Sequence, residues 1–188
     1  MATQRIGIIM HGVTGRMGYN QHLIRSIQAI IQDGGLLLSN GDRLLPDPIL
    51  VGRNGKKMEA LAKEQGIARW SDSIEQCLAN TEDMLFFDAG TTQMRSDLLS
   101  LAIQAGKHVY CEKPSADTLE NALSVARLAR QKGVKHGVVQ EKHFLPGLLK
   151  LKSLIDSGYF GRILSVRGEF GSVSYTHLRA HETGRNLV

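Results

Sequence analysis

The sequence predicts an α/β fold with a doubly wound parallel sheet, and three observations carry that prediction. Short apolar runs alternate with amphipathic segments over residues 5–139, glycine closes most of those segments, and the first apolar run leads straight into a glycine loop. At 188 residues, 42% of them hydrophobic and 22% charged, the chain is of single-domain size and too apolar for global disorder. No run approaches the roughly 20 apolar residues of a membrane span. Cys77 and Cys111 are too few for a disulfide framework and do not form a metal-type pair. The net charge is +5, but the 23 Lys and Arg are scattered and only 5% of residues are aromatic, so no nucleic-acid partner is expected. The apolar run Ile6–Met10 is too short for a secretory signal, and a cytoplasmic protein with no membrane association is expected.

Each element follows from its pattern. Ile6–Met10 is a short, branched run bounded by glycine, a buried-strand signal, and Leu23, Ile24, Ile27, Ile30 and Ile31 then recur at helical spacing. The connection from Asp33 to Pro48 reads as a loop or small hairpin. Ile49–Val51 is a second strand, followed by a helix through Met58, Leu61 and Ala62 that stops at Gly66. Ala68–Trp70 is a weak strand and Leu85–Phe87 a stronger one. A helix through Leu98, Leu99, Ala102 and Ile103 stops at Gly106, where glycine supplies the left-handed turn that ends it. His108–Cys111 is extended again. Asp117 is placed to cap the next helix, with Glu120 completing a capping-box-like start; that helix ends at Gly133, and Val134–Val139 is the last strand of the series. Beyond it, Leu148, Leu149, Leu151, Leu154 and Ile155 predict another amphipathic helix, and residues 163–170 alternate as a half-buried strand does.

The loop Gly12-Val13-Thr14-Gly15-Arg16-Met17-Gly18 follows the first strand and opens the first helix. In a Rossmann-type sheet, glycines there let the backbone approach a pyrophosphate, which rests on the unpaired N–H groups of the helix start. The spacing departs from the usual G-x-G-x-x-G, and an ordinary tight turn is the alternative. Gly12, Thr14, Gly15, Arg16 and Met17 are the candidate cofactor contacts of this loop. A carboxylate at the end of the second strand binds the ribose diol of NAD, whereas a cation accommodates the 2′-phosphate of NADP. Here the segment is Gly52-Arg53-Asn54-Gly55-Lys56-Lys57, with no acid. Its cations oppose the helix dipole unless an anion sits among them; a solvated surface cluster is the other reading. NADP is therefore preferred to NAD, with Arg53 and Asn54 as contacts and Lys57 as a weaker candidate.

Ala105–Pro114 holds the strongest local signal: a buried strand that ends in Glu112-Lys113-Pro114 at the carboxyl edge of the sheet, where open α/β folds bind ligands. A lysine ammonium there can polarise a substrate oxygen and relay its proton. A surface lysine beside a capping glutamate fits the same residues, and the proline is one that can hold a cis bond.

The ordered set of glycine loop, second-strand end, Gly-Lys-His-Val and Glu-Lys-Pro resembles the Gfo/Idh/MocA family of NAD(P)-dependent oxidoreductases over about the first 170 residues. The resemblance implies hydride transfer between a nicotinamide cofactor and a small-molecule substrate, a sugar, inositol or related polyol. It gives Lys113 the catalytic position beside the nicotinamide and Glu112 a contact to the adjoining ribose. Gly90, Thr91 and Thr92 stand where the family lines its cofactor, Arg95 replaces a frequent histidine, and His143 either faces the cofactor cleft or packs at a domain junction. On this reading residues 1–142 are an NAD(P)-binding domain and 143–172 open an α+β substrate and dimerisation domain that is truncated, the complete protein being a homo-oligomer. The family's remaining catalytic residues are expected beyond Ser172. The loop around Gly15-Arg16-Met17-Gly18 also resembles dihydrodipicolinate reductase, and a non-catalytic dinucleotide-binding regulator is a further alternative. Residues 173–183 resemble the translation of a sequencing adapter, so 173–188 is read as a non-native tail, which removes His177, His181 and Glu182 from consideration as a metal site.

Overall fold

Six parallel strands and one short antiparallel strand form a sheet in the computed structural model, which describes residues 2–169. The strands are β1 (Thr3–His11), β2 (Leu36–Leu37), β3 (Arg43–Val51), β4 (Arg69–Ser71), β5 (Asp83–Asp88), β6 (His108–Cys111) and β7 (His136–Val138). Across the sheet the order is β3-β1-β5-β6-β7, with β4 and β2 both on the outer edge of β3. Counting the parallel strands alone, the order is third, second, first, fourth, fifth, sixth, that of a dinucleotide-binding sheet, and its direction reverses between β1 and β5.

Helix α1 (Ala29–Gln32) continues a π-wound segment, Met17–Gln28, and is followed by α2 (Gly55–Glu64), α3 (Ile74–Ala79), α4 (Thr92–Gln104) and α5 (Leu119–Lys132). Strand alternation deals successive side chains to opposite faces. Ile8, Met10, Leu50 and Phe87 meet Leu23 of the first helix and Met58 and Leu61 of α2 on one face. Ile9, Val51 and Phe86 meet Leu99 and Ile103 of α4 and Ala129 of α5 on the other. Both faces are thus covered, as a parallel sheet requires.

Three local features differ from the sequence expectation, and a fourth settles between its two alternatives. The first helix keeps its apolar stripe but is π-wound, and the Ser26 hydroxyl donates 2.8 Å to the carbonyl of Gln21, five residues back. β3 begins six residues earlier than Ile49 and runs through Pro46 and Pro48; these fall between the stretch paired with β2 and the stretch paired with β4, where the outer edge of β3 needs no N–H donor. The Asp33–Pro48 connection resolves into the β2–β3 hairpin, whose Leu36 stands opposite Leu44. Helix α5 is capped by Thr118, whose Oγ1 accepts from Asn121 N at 3.1 Å, and Asp117 instead holds the Asn121 side chain at 2.7 Å. The hydroxyl is one residue nearer the first turn and reaches its N–H directly.

The backbone divides into two compact units, Met1–Gln140 and Glu141–Val188. In the second, a 3₁₀ turn (Glu141–Phe144) that contains His143 precedes α6 (Pro146–Asp156), which starts on proline. Residues 163–169 form no strand: no partner strand lies beside them among the described residues, and an unpaired strand has nothing to bond its backbone. Phe170, His177, His181 and Glu182 lie outside the described residues. No described helix is long and apolar enough to cross a membrane.

Candidate active site at the carboxyl edge of the sheet

The crevice between the ends of β1 and β5 opens into a cleft of about 350 Å³. Gly12, Thr14, Gly15, Arg53, Gly90 and Thr91 all line it, so six of the sequence-predicted contacts converge from three separate loops. Arg16 lines a neighbouring depression with Lys57, between the first helix and α2. Met17, Asn54, Thr92, Glu112 and Lys113 line neither. Asn54 caps α2 by accepting from Lys57 N at 3.1 Å, Thr92 opens α4, and Met17 is exposed at the start of the first helix.

The three glycines of the first loop differ in what demands them. A Cβ on Gly12, where φ is +78°, falls 2.3 Å from Gly90 N, and one on Gly18 falls 2.2 Å from Gly12 O. Packing alone excludes a side chain at both. A Cβ on Gly15 meets only Gly12 O, at 3.4 Å, an ordinary contact. Nothing inside the chain requires glycine there. Its bare backbone borders the cleft just where the helix begins, the position at which a pyrophosphate approaches closely. The residues present therefore fit a dinucleotide.

Asp88, at the end of β5, is fully buried. Its Oδ1 accepts from His11 Nδ1 at 2.6 Å and from Gly90 N at 3.0 Å, and its Oδ2 accepts from Arg95 Nε at 2.7 Å. Burial by itself raises the pKa of this carboxyl, but the hydrogen bonds from His11, Arg95 and Gly90 outweigh it and hold the group below the usual carboxylate range. An ionised Asp88 fixes the proton of His11 on Nδ1. Arg95 is 2% exposed and has a partner on each of its nitrogens, donating also to Gly90 O at 2.6 Å and to the carbonyl of Pro114. This arginine faces inward as a brace.

One strand further along, Glu112 is buried at the end of β6. His22 Nε2 donates to its Oε1 at 2.6 Å, and Lys113 N donates to its Oε2 at 3.1 Å. The His22 ring also packs on Phe87, with centroids 4.6 Å apart. Lys113 is exposed beyond the strand end, and its bond to Pro114 is cis. Burial pushes the thiol of the preceding Cys111 up to about 11, so that cysteine serves as a core residue rather than a nucleophile. Lys107, in the Gly-Lys-His-Val run, turns to the opposite end of β6 and donates 2.5 Å to Asn80 O.

Sequence reasoning missed His11, His22 and Asp88. One signal for Asp88 is an acid that terminates the buried run Leu85–Phe87, since a carboxylate at such a point needs partners. His11 and His22 carry no comparable signal, because their partners are 77 and 90 residues away.

Fold and site define the class first: a doubly wound domain with an open cleft at its topological switch point. The family model described as "Oxidoreductase family, NAD-binding Rossmann fold", that of Gfo/Idh/MocA, matches residues 38–140, more than half of the chain. The chain belongs to this family. It is 48% identical over 169 residues to D-xylose dehydrogenase of Paenarthrobacter nicotinovorans, which covers 90% of this chain and 44% of the relative. It is 30% identical over 135 residues to myo-inositol dehydrogenase Hyg17 of Streptomyces leeuwenhoekii, 71% of this chain and 41% of that one. The fold matches levoglucosan dehydrogenase in complex with NADH and levoglucosan, with a TM-score of 0.70 at 21% identity, over 86% of this chain and 41% of that structure. The chain thus spans less than half the length of these relatives.

Proposed function

We propose that the cleft binds a nicotinamide dinucleotide, NADP in preference to NAD, and that the protein transfers hydride between it and a sugar, inositol or related polyol. The observation that carries the proposal is Gly15, a glycine that packing does not require, bordering a cleft shared with Arg53 and Gly90. The preference for NADP is supported by Arg53 at the end of β3 and by Arg16 and Lys57 in the adjoining depression. Cations at the acid-free first turn of α2 gain from an anion and are poorly placed without one. The sugar or polyol substrate class is supported by the D-xylose and myo-inositol dehydrogenases that this chain resembles.

When bound, the nicotinamide supplies a two-electron donor or acceptor for the substrate carbon. Lys113 gives or takes the proton on the substrate oxygen, so carbinol and carbonyl interconvert with charge balanced. Glu112, held by His22, fixes the backbone N–H of Lys113 and so the start of that turn. The homo-oligomer rests on resemblance to the family, and the cytoplasmic setting on the short apolar run at Ile6–Met10.

Calorimetric titration of the chain with NADPH and NADH tests the binding half of the proposal. Saturable binding, tighter for NADPH, is expected, and no heat with either nucleotide refutes it. Assay of the complete protein against D-xylose, myo-inositol and levoglucosan with NADP tests the substrate class. Oxidation of at least one supports it, and none against a functional nucleotide site removes it.

A further inference from the structure

The geometry points to Arg95 as a positioning residue that ties the Lys113 turn to the cofactor cleft, an inference that rests on the function proposed above. The guanidinium makes three separate bonds to three elements. Nε reaches Asp88 at the end of β5, Nη2 reaches the carbonyl of Gly90 in the cleft-lining loop at 2.6 Å, and Nη1 reaches the carbonyl of Pro114, immediately after Lys113. Asp88 extends the path through its bond to His11, the residue that precedes Gly12. One continuous hydrogen-bonded route thus runs from the glycine loop to the lysine turn.

Stability does not account for it. A buried charge pair is often no better for stability than an apolar pair of similar volume, and the surrounding core already contains Leu98, Leu99 and Ile103. What an apolar residue cannot do is hold two carbonyls on different loops at a set separation. The planar fork does this, and the single ammonium of a lysine does not. Gly90 and Pro114 lie on loops after adjacent strands, so fixing both carbonyls fixes how the cleft and the lysine turn face each other.

Periodate-oxidised NADP is a direct probe. The 2′-phosphate blocks the adenosine diol, so oxidation leaves a dialdehyde only on the nicotinamide ribose. The Lys113 amine condenses with an aldehyde, expelling water, and borohydride supplies the hydride that reduces the imine to a stable amine, located by peptide mass. The chain itself is used, at probe concentrations that saturate each variant. Wild type should be labelled at Lys113, and Arg95→Lys and Arg95→Gln should lose the label by about tenfold or more, the scale on which small misplacements cost reactivity. Labelling of both variants at the wild-type level overturns the role of Arg95 and leaves the proposed function standing. Absence of label on wild-type Lys113, with the probe bound, overturns the proposed role of Lys113 and this inference together, and leaves nucleotide binding standing. Loss of cooperative urea unfolding in both variants means that Arg95 holds the fold rather than the turn, and also overturns the inference.

Discussion

Nε2 of His22 lies 2.6 Å from Oε1 of Glu112, joining the first helix to the strand end that carries Lys113 across 90 residues of sequence. The glutamate is buried, and its other oxygen accepts from the backbone of Lys113. Replacing His22 by alanine leaves one carboxylate oxygen unpaired and a gap beside Phe87. His22→Ala should lower unfolding stability in urea by about 1–3 kcal/mol, the range for a buried polar group stripped of its partner. A loss within about 0.5 kcal/mol, typical of surface changes, contradicts the assigned contact.

The glycine loop separates packing from binding. Gly12→Ala and Gly18→Ala drive a methyl onto backbone atoms at 2.3 and 2.2 Å and should destabilise the fold by more than about 1 kcal/mol. Gly15→Ala meets an ordinary contact and should leave urea stability within about 0.5 kcal/mol of wild type. The same substitution should weaken NADPH binding clearly in calorimetry. Stability loss at Gly15 with unchanged nucleotide affinity refutes this division.

Asp88 makes stability depend on acid. Its carboxyl is held below its ordinary value of about 3.9, so the unfolded chain binds the proton more readily than the folded one. Its contribution is present above the unfolded value and is lost as pH falls through the lower folded value. Urea unfolding between about pH 2 and 5 should show stability rising with pH. The slope should be shallower in Asp88→Asn, which is also less stable overall because Arg95 keeps a buried charge without its counterion. Equal slopes in the two proteins contradict the assignment.

Arg53 lines the cleft at the end of β3, where no acid is present to meet a ribose diol. Arg53→Ala should weaken NADPH by about tenfold or more, as expected for a lost charge-assisted hydrogen bond, and NADH by no more than about twofold. Calorimetric titration with both nucleotides reads this, and an equal loss refutes the 2′-phosphate contact.

Much of the fold is legible in the sequence because it follows from local periodicity. The runs at Ile6–Met10 and Leu85–Phe87 are strands whatever lies beside them, and Gly133 ends α5 in the left-handed conformation that only glycine adopts cheaply. The glycine loop and the end of β3 are legible for the same reason, each being a contiguous motif. The brace is not. That His11, Asp88, Arg95 and Pro114 share one network depends on β1 lying beside β5 and β5 beside β6, which no window of sequence contains. The extension of β3 through Pro46 and Pro48 is hidden likewise, since proline marks a break until the gap between β2 and β4 is known.

A crystal of this chain grown with NADPH tests the central claim most directly. The diphosphate should rest against the glycine loop at Gly15, with the 2′-phosphate against Arg53 and the nicotinamide beside the amino group of Lys113. Nucleotide seated away from Gly15, or a nicotinamide out of reach of Lys113, contradicts the account.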